Sequence, residues 1–408
     1  MSERDDRKLR ASRRDFLTGA AGLAAVAGAG MSTGAARGAV TGASAGSQAA
    51  DKPLTEPFWG PHQGGIATPA QSHSYFAAFE LVTDKRDDVV KLLQAWTAAA
   101  ARMSAGRTAQ PLDDRLKSVV AATTTSKANN SYAAPPPSAM AADTGEALGL
   151  TPARLTVTFG FGTGLFTKDG KDRYGLSARR PVALVDLPRF VGDQLVEAHT
   201  GGDLSVQACA DDPQVAFHAV RQLARIAGEA AKIRWVQAGF LPVPGTKETP
   251  RNLMGFKDGT INPSMSDPKT MDEFVWVGHE GPDWMRGGSY VVARRIRIAI
   301  EHWDSMKVAF QEQTIGRHKY SGAPLGKQNE FDALDLAATD KDGNPIIAEN
   351  AHVRLAAAAT NGGTQILRRG YSYNDGVDVT AERWPPWRQG LEYDAGLFFV
   401  CYQRDPRT

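Results

Sequence analysis

Tyr75-Phe76-Ala77-Ala78-Phe79-Glu80-Leu81 decides how the fold is read, because Tyr75, Ala77, Phe79 and Leu81 recur with the period of two that marks a β-strand. A helix is expected directly after it. Val89, Leu92, Leu93 and Trp96 recur at i, i+3, i+4 and i+7, and Asp87 and Asp88 put negative charge where the helix dipole favours it. Further on, Leu155 to Phe159 and Val182 to Val185 read as strands, Ala216, Val220, Leu223 and Ala227 share a helix face, and Arg234 to Leu241 closes a β-α-β-β-α-β unit. Around Arg294 the pattern restarts. Ile296, Ile298 and Ile300 alternate with Arg295, Arg297 and Ala299, His302 stands at that strand's end, and a final strand runs through Leu397, Phe399 and Cys401. The expected class is α+β, two related units with antiparallel sheets.

The chain has 408 residues, 42% hydrophobic and 23% charged, enough for one large or two ordinary domains with a core of their own. Its two cysteines, Cys209 and Cys401, are too few for a disulfide scaffold, a Cys-based zinc site or an iron–sulfur cluster, and no C-x-x-C-H motif attaches a c-type haem. They read either as two buried thiols or as a pair formed in an oxidising compartment. A net charge of +2 argues against general nucleic-acid binding. Gly160-Phe161-Gly162-Thr163-Gly164 follows a strand, yet Leu165 to Gly170 continue into a turn, with no helix N-terminus to hold a phosphate.

Ser12-Arg13-Arg14-Asp15-Phe16-Leu17, a mildly apolar stretch from Gly19 to Ala29 and the small residues Ala43-Ser44-Ala45 together resemble a twin-arginine export signal with its cleavage site. The apolar stretch is too short and glycine-rich to span a membrane, which takes about 20 residues. Residues 1–45 hold seven Lys/Arg and four Asp/Glu, so their removal takes +3 from +2 and leaves a chain near −1. The expected organisation is a signal at 1–45, a polar leader at 46–56, a first unit at 57–245 and a second at 246–408. A long loop rich in Ala, Ser, Thr and Pro is expected at 104–152.

Arg251-Asn252-Leu253-Met254-Gly255-Phe256-Lys257-Asp258-Gly259-Thr260 holds the candidate chemistry. A carboxylate between glycines on a turn can approach a flat ligand closely, since glycine removes the side chain that would obstruct it. Gly255 to Thr260 followed by Asn262-Pro263 resembles the signature of dye-decolorizing peroxidases, haem b enzymes built from two ferredoxin-like domains. Phe58 to Gln63, Arg294 to Arg297, Gly322 to Gly326, His352 to Leu355 and Leu367 to Tyr373 agree with that family in order, and the likeness runs from about Pro57 to the last residue. With the export signal, the chain is most similar to the exported branch that includes deferrochelatase/peroxidases of iron-uptake systems.

The resemblance implies a haem b held non-covalently, one per chain, with His352 as axial ligand, Asp258 as distal acid–base group and Arg368 as distal cation. Gly259, Thr260 and Ile261 would line the haem edge, placing the haem site in the second unit. Peroxide heterolysis needs a base that moves a proton between the oxygens and a cation that stabilises the developing charge. A carboxylate with an ordinary pKa of about 3.9 stays ionised in mild acid where a histidine, at about 6.5, does not, so an acid-shifted optimum is expected. His302 is a rival ligand, Arg369 is expected in a structural ion pair, and Asp405 is a candidate acceptor for the axial histidine's N–H. Trp384 and Trp387 could relay electrons to bulky substrates. Implied partners are hydrogen peroxide, a bulky organic reductant or haem, the twin-arginine machinery, iron-uptake proteins and a second copy of the chain, in the periplasm or outside the cell. Release of iron from haem and non-catalytic haem binding are the alternatives.

Two departures from the family pattern stand out. Ala356-Ala357-Ala358-Ala359 occupies the place of an Asn-Pro-Arg that would contact a haem propionate, and the second unit is expected to lack a final helix and strand.

Overall fold

The computed structural model describes residues 54–112, 142–242, 248–381 and 389–408. The segment expected to be an export signal, Trp384 and Trp387 lie outside them, as does most of 104–152, where a loop is expected.

Tyr75 to Leu81 falls within β1 (His73–Leu81), which is central in the sheet and therefore covered on both faces. Ala77, Phe79 and Leu81 enter one core and Phe76 and Ala78 a second, so the period of two is real but both phases are apolar. Helix α1 (Arg86–Ser104) follows with Asp87 and Asp88 in its first turn. Strands β2 (Thr156–Phe161) and β3 (Leu204–Ala210), helix α2 (Pro213–Ala227) and β4 (Ala231–Phe240) complete the β-α-β-β-α-β order. Asp212 caps α2 through Gln214 and Val215 N–H groups, and Pro213 supplies the first-turn residue that has no N–H to satisfy. Trp96 joins the two helices by donating its Nε1–H to Leu223 O at 2.8 Å.

One strand was misplaced by sequence. Val182 to Val185 form turn and coil, with Val182 83% exposed, and the strand is Leu204–Ala210, all but one of whose residues are buried. An apolar run alone does not separate a strand from a loop that crosses the surface.

The second half supplies a short helix α3 (Pro268–Phe274), β5 (Tyr290–Arg297), α4 (Ile300–Asp304), α5 (Val308–Ile315), α6 (His352–Leu355), β6 (Leu367–Arg368), β7 (Tyr371–Ala381) and β8 (Gln389–Gln403). Ile298 and Ile300 leave the strand expected for them, and His302 lies in α4. The strands pair antiparallel in one sheet of order β2-β3-β1-β4-β7-β8-β5, with β6 beside β8. Within each half this is ferredoxin-like pairing, and among the described residues one ladder pair, Phe240 opposite Ser372, joins the halves of the sheet. The sheet curls. Tyr402 Oη donates to Gln207 Oε1 at 2.6 Å across its interior, and Phe76 meets Phe398 edge-on at 5.4 Å. Among the described residues, no helix or strand follows β8. Cys209 and Cys401 are both free and buried.

Candidate active site

The turn that carries Asp258 is fixed from several sides. The Arg251 guanidinium donates to Gly255 O, Lys319 O and Tyr320 O at 2.9, 2.6 and 2.7 Å. Trp303 Nε1 donates to Met254 O at 3.0 Å. Gly255 and Gly259 take φ values of +80° and +114°, where a side chain would be strained, and these two residues bracket Asp258. Glu330 then gathers both flanks of the aspartate, accepting from Lys257 Nζ at 2.5 Å and from Thr260 Oγ1 at 3.0 Å. Burial pushes the Glu330 carboxyl up, but hydrogen bonds from Lys257, Thr249 and Thr260 outweigh it and hold its pKa below the ordinary value.

Strand β6 delivers Arg368 to this turn. Arg368 Nη1 lies 3.1 Å from Asp258 Oδ1 and Nη2 donates to Ile261 O at 3.3 Å, while Asn252 Nδ2 donates to Asp258 Oδ2 at 3.4 Å. The two side chains of the ion pair keep 30% and 32% of their surface exposed, so a small solute can reach both. Strand register explains which way Arg368 faces. It pairs with Cys401, which also pairs with Val292, and Arg294 pairs with Phe399, so these side chains share one sheet face. Leu367, Phe398, Val400 and Tyr402 take the other face and are buried in the core. On the Arg368 face, Val292, Phe399 and Cys401 together with Leu187, Phe190 and Ile366 line a cavity of about 290 Å³. Burial pushes the Cys401 thiol up to about 12, against the charge of Arg368.

His352 opens α6. Arg354 anchors that helix through Nε to Ile347 O at 3.1 Å and Nη2 to Leu336 O at 2.7 Å. Gly316 lets α6 approach the end of α5, since a Cβ there would stand 2.4 Å from Val353 Cγ2. The imidazole keeps solvent-accessible surface, and no hydrogen bond to the described residues holds either ring nitrogen. Burial first, then the charge of Arg368, lowers its pKa, with Asp258 opposing, so the ring feels the same ion pair and is neutral at pH 7. A neutral imidazole with a free nitrogen, a carboxylate beside a guanidinium and an apolar wall can hold a flat iron-bearing ligand and serve proton transfer on it.

Other predicted residues fall differently. Ile261 is 57% exposed at the turn's rim, and the Thr260 hydroxyl is committed to Glu330. Arg369 points to the opposite, buried side, where it donates to Thr68 O and to Gln71 Oε1, the latter at 3.5 Å, rather than to a carboxylate. Asp405 pairs with Arg407, whose Nη2 lies 2.6 Å away, and has no hydrogen bond with His352. His302 belongs to exposed α4 surface. Sequence missed Glu330, Arg251 and Asn252 as supports: Glu330 acts from another loop, Arg251 through backbone carbonyls, and Asn252 by a side-chain contact with Asp258, six residues on, that spacing alone does not reveal.

Comparisons with known proteins agree over most of the chain. Residues 63–241 match the family model described as the N-terminal part of Dyp-type peroxidases, and residues 249–408 match the C-terminal part. A dye-decolorizing peroxidase of Thermobifida fusca is 36% identical over an alignment that takes in 100% of this chain and 89% of that protein. A deferrochelatase of Escherichia coli is 34% identical, covering 86% of this chain and 76% of its own. The crystal structure of a DyP-type peroxidase from Streptomyces coelicolor superposes with a TM-score of 0.71 at 39% identity, over 87% of this chain and 86% of that one.

Proposed function

Because the chain belongs to the DyP-type peroxidase family, we propose that it is a haem b enzyme that reduces hydrogen peroxide and oxidises bulky reductants such as dyes or phenolics. The observation that carries this reading is the Asp258–Arg368 pair, partly exposed at 3.1 Å and felt by the free-nitrogen imidazole of His352. The residues fit haem. His352 has an uncommitted, neutral nitrogen for iron, Gly259 leaves the turn bare, and Val292, Phe399 and Ile366 offer an apolar surface beside Arg368. Haem, when bound, would supply the metal at which the O–O bond of peroxide is broken and the two electrons that the break takes up, which the organic reductant would then restore.

Asp258 takes a proton from the near oxygen of hydrogen peroxide and returns it to the far one, so that the far oxygen leaves as water. Arg368 holds charge that develops on the far oxygen, and a guanidinium stays cationic while it does so. Glu330 and Arg251 keep the turn in place, so Asp258 does not have to be ordered at the moment of reaction. His352 would hold the metal through a neutral ring nitrogen, with no proton to lose first.

Titrating the purified protein with haem, then adding one equivalent of peroxide, tests the reading. A Soret band that changes on peroxide addition and returns with a reductant is expected, and absent haem uptake overturns the proposal. The deferrochelatase relatives support a second use of the same pocket, release of iron from haem with the tetrapyrrole intact, and free porphyrin fluorescence after incubation with haem would reveal it. Arg13-Arg14 and the small-residue stretch behind them support export by the twin-arginine route.

A further inference from the structure

Asn262 belongs to the same motif as Asp258, four residues on, and has no task in the chemistry described above. Its side chain nevertheless makes two hydrogen bonds with one residue, and that residue is Arg368. Asn262 Oδ1 accepts from the Arg368 backbone N–H at 2.9 Å, and Asn262 Nδ2 donates to Arg368 O at 3.0 Å. The reason lies in strand β6, which is only two residues long. In a strand, backbone groups of successive residues point to opposite sides. On one side, Arg369 N–H reaches Val400 O of β8 at 2.7 Å. Arg368's own N–H and C=O face away from β8, where no strand lies among the described residues, and the amide of Asn262 stands in for the missing partner.

The geometry points to Asn262 as a positioning residue that ties the Asp258 turn to the Arg368 strand and so sets the carboxylate–guanidinium distance. Only an amide of this length offers one donor and one acceptor at the required reach. Aspartate keeps the acceptor and loses the donor, and alanine loses both. The turn itself does not depend on the tie, because Glu330 and Arg251 hold it independently. The inference rests on the peroxidase reading for the task of Arg368, but the tie itself can be measured without turnover.

Full-length wild type, Asn262→Ala, Asn262→Asp, Arg368→Leu and the Asn262→Ala/Arg368→Leu double variant are compared by two readouts. The first is residue-resolved hydrogen exchange. The Arg368 amide is expected to exchange at least tenfold faster in Asn262→Ala, while Val400 and Tyr402 amides keep their protection. The second is kcat/KM for hydrogen peroxide with haem bound, expected to fall about tenfold to a hundredfold in Asn262→Ala and less in Asn262→Asp. The KM for the reductant is expected to stay within twofold. In the Arg368→Leu background the Asn262→Ala change is expected to cost less than twofold, since the group it positions is gone. Unchanged exchange at Arg368, or an equal loss in both backgrounds, overturns the inference. If Asn262→Ala does not fold, Asn262→Asp carries both readouts. If wild type binds haem but turns over no peroxide, the peroxidase reading fails while the exchange result still decides the tie.

Discussion

Two histidine–carboxylate clusters, one in each half, are built from the same chemical parts and do opposite things. In the first half, His218 of α2 lies 3.4 Å from Asp143 by Nε2 and 3.1 Å from Glu146 by Nδ1, with 7%, 3% and 18% side-chain exposure. Arg221 Nη1 adds a cation 3.2 Å from Glu146 Oε1. Asp143 also accepts from the backbone N–H groups of Ala109 and Gly145 at 3.1 and 2.8 Å, so the cluster clasps the ends of the Ala/Ser/Pro-rich segment to α2. In the second half, Asp258 and Arg368 keep about a third of their surface and His352 keeps free nitrogens. The difference is what surrounds each group. Burial with a charged neighbour on either side spends the charges of His218 on structure, while exposure with vacant hydrogen-bonding capacity leaves those around His352 free for a ligand.

The strongest way to break this contrast is to exchange the consequences. His352→Ala is expected to abolish haem-iron ligation, seen as loss of the normal Soret spectrum, and to shift the stability of the haem-free protein by less than about 1 kcal/mol. A His352→Ala protein with an unaltered haem spectrum would remove the second cluster from the contrast. Next in size, Asp258→Asn and Arg368→Leu are each expected to lower kcat/KM for peroxide by about a hundredfold or more while haem is still bound. Peroxide turnover at the wild-type rate in either variant would leave the ion pair a structural feature like its counterpart.

His218→Ala is expected to do the reverse, costing about 2 kcal/mol of folding stability by removing the cation that buried Asp143 and part-buried Glu146 share, with peroxide turnover retained at temperatures where the protein is folded. Its pH dependence is distinctive. Burial pushes the Asp143 carboxyl up, but hydrogen bonds from His218, Gly145 and Ala109 bring it down to about 2, below the ordinary 3.8. Its stabilising contribution is therefore complete above about pH 4 and is lost as pH falls through about 2. Burial lowers the His218 pKa, yet Asp143 and Glu146 outweigh it and raise it above the ordinary 6.5. That contribution is complete below pH 6.5 and is lost as pH rises through the folded value. The gap between wild type and His218→Ala in urea denaturation is thus expected to be widest between about pH 4 and 6.5 and narrower at pH 9. A gap that widens towards pH 9 would contradict the charged state assigned to His218.

Sequence displayed the second cluster and concealed the first, and the physical reason is local. Asp258, Gly259 and Asn262 act within one short turn, so their spacing is preserved in the chain and the family likeness of that turn leads to Arg368 and His352. Asp143 and His218 are joined only by the fold, through a contact between a loop and a helix face whose apolar residues were legible while its histidine looked ordinary. Secondary structure divides the same way. α1 and α2 were readable from periodicity, as was β1 in one of its two apolar phases, whereas β3 is buried over nearly its whole length and gives no clean alternation. His302 shows the limit of pattern: Ile298 and Ile300 continue an alternation that β5 abandons at Arg297.

The smallest expected effect compares the two cysteines, one in each half. Cys209 of β3 is buried, with Tyr371 Oη of β7 3.5 Å from its sulfur, on the face of β3 opposite the residues that enter the first core. Cys401 of β8 has its sulfur 3.1 Å from Gln403 Oε1 and a thiol raised to about 12 by burial, so neither thiol is expected to react with iodoacetamide in the native protein at pH 8. Their protection has different depth. Cys401 stands in the cavity wall between β5, the last strand of the sheet order, and β6, which has two residues. Separating β5 or β6 from β8 exposes it while the sheet interior stays closed, whereas Cys209, which faces Tyr371 across that interior, requires it to open. In a denaturant series Cys401 is expected to be labelled at lower urea than Cys209, with mass spectrometry assigning the sites. Simultaneous labelling of both would mean that the halves open as one cooperative unit, and the distinction between a structural cluster and an accessible one would then rest on chemistry alone.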